Sequence, residues 1–329
     1  MQLSAGRKIL ETTSQVQFIQ ITEKYSGQRL DNFLIRELKG VPRARIYRLV
    51  RRGEVRINKK RAKPESRLAV GDKVRIPPLV MEQPGTLPKP SPGLINALQE
   101  SVLFEDADLL VLNKPAGLAV HLGSGIRLGL IEAVRQIQPE WGEAELAHRL
   151  DRDTSGVLVI CKNMNALVEL QAQFKAKTVC KRYHALVQGD WPAELLEIDA
   201  PLQRVLAGSG ERFVRVSKEG KPSKTSFAVL ERFSAVTLLE ARPQTGRTHQ
   251  IRVHCQYAGY PILGDEKYAQ NSGKVAKNPH AEAKYLCLHA AEITFKRPGS
   301  GAPLTVQAPR DRTFAAQVAR IRKKLSNSD

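Results

Sequence analysis

The 329-residue sequence has only four cysteines, Cys161, Cys180, Cys255 and Cys287, and they form no CxxC and no disulfide-type cluster. A disulfide scaffold and a Cys-based zinc site are therefore excluded. Reduced structural thiols in a cytosol-like, cytoplasmic compartment are expected. No stretch approaches the roughly 18 consecutive apolar residues of a membrane span, so no membrane partner is expected. The first ten residues, MQLSAGRKIL, lack the apolar core of a secretory signal. Aromatic residues are few, at 5%. Acid is also in deficit: 33 Asp+Glu stand against 52 Lys+Arg, a formal charge of +19. Such an excess points to a polyanionic partner. The 42% apolar and 26% charged residues exclude wholesale disorder. The length allows two or three domains, and because no low-complexity tail holds the basic excess, it belongs on folded surfaces.

Residues 1–24 carry no strong pattern and are expected to form a loosely held arm. In 25–76, Leu30, Phe33, Leu34 and Leu38 trace the apolar stripe of a helix that Lys39-Gly40 ends. A second helix opens at Pro42, buries Ile46, Leu49 and Val50, and stops at Gly53. Val55 and Ile57 read as a strand, Asn58-Lys59-Lys60 as a turn, and Val74 and Ile76 as another strand. Residues 77–93 hold six prolines and two glycines in 17 positions, the composition of a stiff linker. From 94 to 329, strands and helices mix without regular βαβ alternation. Strands are expected at Leu109–Leu112, Gly156–Cys161, Tyr183–Val187, Ser226–Leu230 and Ala235–Ala241, with a turn at Asn113–Gly117. Helices are expected at Met164–Phe174 and through Phe314, Val318, Ile321 and Leu325, and a polar surface loop at Ala269–Ala283. The fold class is α+β: a small basic domain, then a larger one with a mixed, largely antiparallel sheet flanked by helices.

Arg43 to Lys63 contains ten Lys/Arg and a single acid, Glu54. Arg45, Arg48 and Arg52 fall three and four apart, opposite the apolar residues of the same helix, so one face is core and the other cationic. That surface suits a phosphate backbone, which positions a protein without reading sequence. The lobe resembles the S4 RNA-binding domain, through Arg29-Leu30-Asp31 opening the first helix and Gly53-Glu54-Val55-Arg56-Ile57-Asn58 closing the second. The resemblance implies structured RNA as ligand, with Arg29, Arg43, Arg45, Arg48, Arg52 and Lys59 as contact residues.

Several chemistries fail on spacing. Gly123-Ser124-Gly125 and Gly208-Ser209-Gly210 lack a following GK[ST], so neither is a phosphate-cradling P-loop. His249 and His254 are five apart and do not share a face, and no HExxH is present. Ser155 is not in GxSxG. His121, His184 and His289 read as satisfied polar residues of core or rim.

What remains is a dense polar constellation. His148-Arg149-Leu150-Asp151-Arg152-Asp153-Thr154-Ser155-Gly156 precedes the apolar strand, Lys181-Arg182-Tyr183-His184-Ala185-Leu186-Val187 sets a lone Tyr on another, and Thr245-Gly246-Arg247-Thr248-His249-Gln250-Ile251-Arg252-Val253-His254 opens a helix ended at Gly259. Asn113-Lys114-Pro115-Ala116-Gly117 with Val120-His121, and Leu286-Cys287-Leu288-His289-Ala290, complete the set. Together they resemble the RluA-type family of pseudouridine synthases, from about Gln28 to Pro309, and the S4-like domain in front resembles the members acting on large-subunit ribosomal RNA.

The resemblance implies isomerisation of selected uridines with no cofactor or metal. It assigns Asp151 as the ionised carboxylate, Arg252 as its guanidinium neighbour and Tyr183 as the residue stacked on the base and aiding proton removal at C5. Leu288 then packs beneath the ring, Arg149 fills the stack vacated by the extruded base, and Asp153 stabilises the turn. Three routes stay open: Asp151 attacks C6, attacks C1′ or abstracts a sugar proton. The expected partner is large-subunit ribosomal RNA, with no obligate protein partner and a monomeric state. Two rivals are a non-catalytic S4-type RNA-binding or ribosome-assembly factor, and a nucleoside-processing glycosidase, which would ordinarily want a second carboxylate.

Overall fold

The apolar stripe of residues 30–38 and the one-sided helix after it pack against each other through Leu30, Phe33, Leu34, Ile46, Leu49 and Val50, all buried. The computed structural model of the chain describes residues 16–38, 41, 43–79, 87–122, 126, 128–206, 212–233, 235–269 and 283–326. The chain divides into two compact units, Met1–Leu87 and Pro88–Asp329. The first contains β1 (Gln17–Gln20), α1 (Leu30–Glu37), α2 (Arg43–Arg52), β2 (Arg56–Ile57), β3 (Lys60–Arg61) and β4 (Lys73–Ile76). Its antiparallel sheet runs β1-β4-β2-β3. Gln17–Gln20 thus belong to the small unit and Ile21 to its core, rather than to a loose arm. Asn58 and Lys59, at φ 48° and 68°, join β2 to β3 in a two-residue hairpin, and Lys60 already belongs to β3.

The second unit contains α3 (Pro92–Glu100), β5 (Val102–Glu105), β6 (Leu109–Lys114), α4 (Leu130–Ile137), β7 (Glu145–Leu146), β8 (Ser155–Cys161), α5 (Met164–Ala176), β9 (Cys180–Gln188), β10 (Glu197–Asp199) and β11 (Leu202–Leu206). It continues with β12 (Arg212–Val216), β13 (Lys224–Phe233), β14 (Val236–Pro243), α6 (Gln250–Ala258), β15 (Leu288–Lys296), β16 (Pro303–Gln307) and α7 (Arg312–Ser326). The main sheet is ordered β10-β13-β14-β9-β15-β8-β6-β5, with β16 paired to β15 and β7 to β8. Among the described residues only β15 and β8 pair in parallel, so the sheet is mixed and largely antiparallel, as expected.

Every residue of β8 is buried because both faces of its sheet are covered. Leu158 and Ile160 pack with Leu98 of α3 and Leu130, Ile131 and Val134 of α4, while Val157, Val159 and Cys161 pack with Leu167 and Leu170 of α5. A third cluster joins β9 and β14 to α6 and α7 through Leu186, Leu239, Ile251, Cys255, Phe314 and Val318. Gly156, at φ 108°, sits in the parallel pairing, where a Cβ would lie 2.2 Å from the Ala290 carbonyl oxygen. No other residue fits there without moving a central strand.

The linker of 77–93 is shorter than its composition implies: Leu79 is buried in the first unit's core, and Ser91 caps α3 by accepting the Leu94 N–H at 3.3 Å. The turn expected at Asn113–Gly117 begins later, since β6 runs through Lys114. Pro42, Gly123-Ser124-Gly125, Gly208-Ser209-Gly210 and most of the polar loop at 269–283 lie outside the described residues.

Candidate active site

Asp151 lies in the turn that feeds β8, with Thr154 donating its N–H to the Asp151 carbonyl at 3.2 Å. Thr154 and Ser155 follow it into the interior. The Ser155 hydroxyl meets His289 Nδ1 at 2.9 Å, and His289 Nε2 meets the Ala308 carbonyl at 3.2 Å. From the other side, buried Lys114 donates to the carbonyls of Pro115 (2.8 Å), Leu118 (2.9 Å) and Arg152 (2.8 Å). Burial lowers its pKa to about 7, against the pull of Asp153, Asp151 and Asp311. The Arg152 bond thus fixes the turn to the end of β6, and the other two hold the loop that follows β6.

The segment 245–250 is folded around one side chain. Gln250 Oε1 accepts from the Thr245 hydroxyl (2.7 Å) and the Arg247 N–H (3.0 Å), while its Nε2 donates to the Lys224 carbonyl and Thr225 Oγ1, both at 2.9 Å. That clamp starts α6 in the orientation that carries Arg252 to Asp151. Arg252 Nη1 stands 3.5 Å from Asp151 Oδ2, an ion pair rather than a formed hydrogen bond. Its other edge is engaged more tightly: Nε and Nη2 donate to Asp265 at 2.7 and 2.8 Å, a bidentate pair whose carboxylate is fully buried. Burial would lower the Arg252 pKa, but the Asp265 hydrogen bonds and charge, with Asp151 behind them, hold it above its ordinary value. Gly264, at φ 72°, makes the turn before Asp265, and a Cβ there would fall 1.9 Å from the Tyr285 carbonyl oxygen.

Asp151, Arg149, Tyr183, Arg252 and Leu288 line one cleft of about 1030 Å³. That is the upper end of the usual size of small-ligand pockets, roomy enough for a nucleotide. Leu288 is buried at the start of β15, beside Ala185 of β9. Burial raises the Tyr183 phenol, and the charge of Asp151 adds to the effect, so the resting residue is a phenol and not a phenolate. Arg149 is exposed and makes no hydrogen bond or ion pair among the described residues; Asp153 pairs with Arg152 at 2.9 Å. Lys175, Lys177, Lys181, Arg204, Lys221 and Arg247 also border the cleft, giving it a cationic rim that the sequence reading did not single out.

The remaining titratable candidates are structural. His148 Nε2 accepts the Val159 N–H at 3.0 Å, and burial, with Lys181 nearby, drops its pKa to about 3. His254 joins Thr225 Oγ1 (2.9 Å) to the Ala200 carbonyl (3.1 Å). Burial pushes the thiols of Cys161 and Cys287 up to about 12, which removes them as nucleophiles at neutral pH. No group of three or more His, Cys, Asp or Glu among the described residues is arranged to hold a metal ion, and no described helix is long and apolar enough to cross a membrane.

In the small unit, Arg48 and Arg52 are exposed on α2 and Lys59 is exposed in the hairpin; Arg45 is half-buried, and the side chain of Arg43 lies outside the described residues. Arg29 is held by Asp31, Nη2 to Oδ2 at 2.7 Å, and the Tyr47 hydroxyl donates to the same carboxylate at 3.1 Å. The Arg29 hydrogen bond keeps the Asp31 carboxyl below its ordinary value despite burial. Asp31, held by Arg29, therefore ties α1 to α2 through Tyr47.

Residues 108–257 match the RNA pseudouridylate synthase family, and residues 28–74 match the S4 domain. The ribosomal large subunit pseudouridine synthase C of Vibrio vulnificus (strain CMCP6) is 49% identical over 301 residues, covering 91% of this chain and 94% of its own. The protein of that name from Escherichia coli (strain K12) is 47% identical over 312 residues, covering 94% of this chain and 98% of its own. Among solved structures, human RNA pseudouridylate synthase domain containing 4 superposes with TM-score 0.57 at 26% identity, over 70% of this chain and 96% of that one. The chain therefore belongs to the RNA pseudouridylate synthase family, with an S4 domain at its N-terminal end.

Proposed function

We propose that the protein converts selected uridines of large-subunit ribosomal RNA to pseudouridine, with Asp151 acting on the nucleotide. The observation that carries this reading is one carboxylate at the cleft, 3.5 Å from a guanidinium that Asp265 holds in place. An ionised carboxylate is what covalent catalysis or proton abstraction requires, and the Arg252 guanidinium stands beside that of Asp151. The relatives whose names specify the ribosomal large subunit support the choice of RNA.

In the reaction the N1–C1′ bond breaks, C5 bonds to C1′, C5 gives up its proton and N1 ends with one. The target base must leave its stack, at a cost of a few kcal/mol. Arg149, at the cleft and without an ion pair among the described residues, is the side chain we assign to the vacated space, since a guanidinium stacks and meets phosphate together. Tyr183 lies over the base and Leu288 beneath it. Because the Tyr183 phenol holds its proton at rest, it takes the C5 proton only as its own passes on to N1, the atom that ends protonated. Tyr183→Phe keeps the ring and removes that step: isomerisation falls about 10²–10⁴-fold while RNA affinity stays constant. Unchanged turnover would restrict Tyr183 to stacking.

The test of the function is RNA labelled with tritium at uridine C5. Isomerisation releases label to water without strand cleavage or free uracil; free uracil would mean a glycosidase, and binding without release an RNA-binding factor. We assign the small unit to phosphate contact. With about five contacts, log K falls against log salt with a slope of roughly 3–4. Replacing both Arg48 and Arg52 by Gln lowers that slope by roughly 1.5. A salt titration with an unchanged slope would move RNA contact away from α2.

A further inference from the structure

Asp151 Oδ2 faces two groups: Arg252 Nη1 at 3.5 Å and His249 Nε2 at 3.8 Å. His249 caps the start of α6 in the left-handed region, φ 54° and ψ 23°, a rare backbone for a non-glycine residue and one that persists where surrounding contacts impose it. Beside the Gln250 clamp, the His249 side chain is held by Tyr268. Its hydroxyl lies 2.6 Å from His249 Nδ1, and the two rings meet edge to face with centroids 5.5 Å apart. The same hydroxyl accepts the buried Val214 N–H of β12 at 3.1 Å. The face of the ring holds the Arg252 guanidinium, 5.0 Å from its centroid. One tyrosine therefore touches both groups that confront the Asp151 carboxylate.

One tautomer uses both the donor and the acceptor capacity of the Tyr268 hydroxyl. A phenol has one proton to give. With Val214 occupying a lone pair, that proton is free for His249 Nδ1. A neutral imidazole that accepts at Nδ1 carries its hydrogen on Nε2, the atom turned toward Asp151. Burial keeps the imidazole below its ordinary pKa, Arg252 and Lys267 adding to this while Asp151 and Asp265 oppose it, so the ring is an N–H donor and not a second cation. At 3.8 Å the contact is open, and hydrogen bonds in unoccupied sites commonly tighten only when substrate arrives.

We propose that Tyr268 is a positioning residue for the reaction: its hydroxyl selects the His249 tautomer that presents Nε2–H to Asp151, and its ring steadies Arg252, so the carboxylate is aimed from two sides. This rests on the reading of Asp151 as the reacting group. The consequence is a coupling between Tyr268 and His249 that a packing role does not produce.

The test is a double-mutant cycle in the full-length chain, read by C5 label release at saturating and limiting RNA. Tyr268→Phe and His249→Ala each lower kcat by about 10–100-fold with KM little changed. Tyr268→Phe placed in the His249→Ala background costs less than about twofold more. Additive losses, a change in KM alone, or an unchanged Tyr268→Phe would overturn the proposal. If Tyr268→Phe fails to fold after losing the Val214 bond, His249→Gln against His249→Leu puts the same question. Gln keeps an N–H donor and retains activity within about tenfold, whereas Leu does not; equal losses overturn the proposal. Asp151→Asn separates the two readings: if it still turns over, the assignment of Asp151 fails. If it is dead and Tyr268→Phe is normal, only the positioning role fails.

Discussion

Asp151→Asn loses label release by at least about 10⁴-fold and still binds RNA. The substitution keeps shape and removes only charge. Arg252 retains its two hydrogen bonds to Asp265, so the site stays folded when Asp151 is neutral. Affinity holds or rises, because a negative charge has been taken from a cationic cleft facing a polyanion. The measurement is C5 label release together with filter binding to the same RNA. Turnover within tenfold of the parent would transfer the chemistry to another group.

Asp265→Ala is the second large effect, and it strikes stability before chemistry. The Arg252 side chain is only 9% exposed and the Asp265 carboxylate 0%. Removing Asp265 strands a buried guanidinium, which costs about 3–5 kcal/mol. For a domain of this size that is a fall in Tm of roughly 6–20 °C. Replacing both partners, Asp265→Leu with Arg252→Met, recovers most of the stability, since no lone charge is then buried, and leaves the enzyme inactive. A Tm unchanged in Asp265→Ala would mean that Asp151 alone satisfies Arg252.

Much of this was legible from residue patterns, for identifiable reasons. Residues 30–38 and 43–52 are amphipathic, so their helices follow from the apolar spacing. The GVLVIC run has no polar face because both sides of β8 are covered, by α3 and α4 and by α5. β1 was illegible: Phe18 is 56% exposed while Gln17 is half-buried, so apolarity and burial are out of phase. It is held by backbone pairing to β4, which leaves no mark on side-chain periodicity.

The site divides in the same way. Asp151, Tyr183, Arg252, Arg149 and Leu288 sit in dense motifs, and the fold brings all five to one cleft. Asp265 and Tyr268 lie outside every motif singled out above, and their roles arise from contacts with α6 and the residue that starts it, tertiary contacts with no local period. His249 lies in the Thr245–His254 motif, five residues from His254, a spacing that carries no sign of either ring's role. The two prove to have unrelated partners, Tyr268 and Asp151 for one, Thr225 and Ala200 for the other.

Cells lacking this gene, complemented and then mapped for pseudouridine in large-subunit ribosomal RNA, decide whether Asp151 carries the modification. The parent gene restores a defined set of modified positions, and the Asp151→Asn gene, expressed to the same level, restores none of them. Recovery of those positions by the Asp151→Asn protein, or no difference in the map when the gene is absent, would contradict the account.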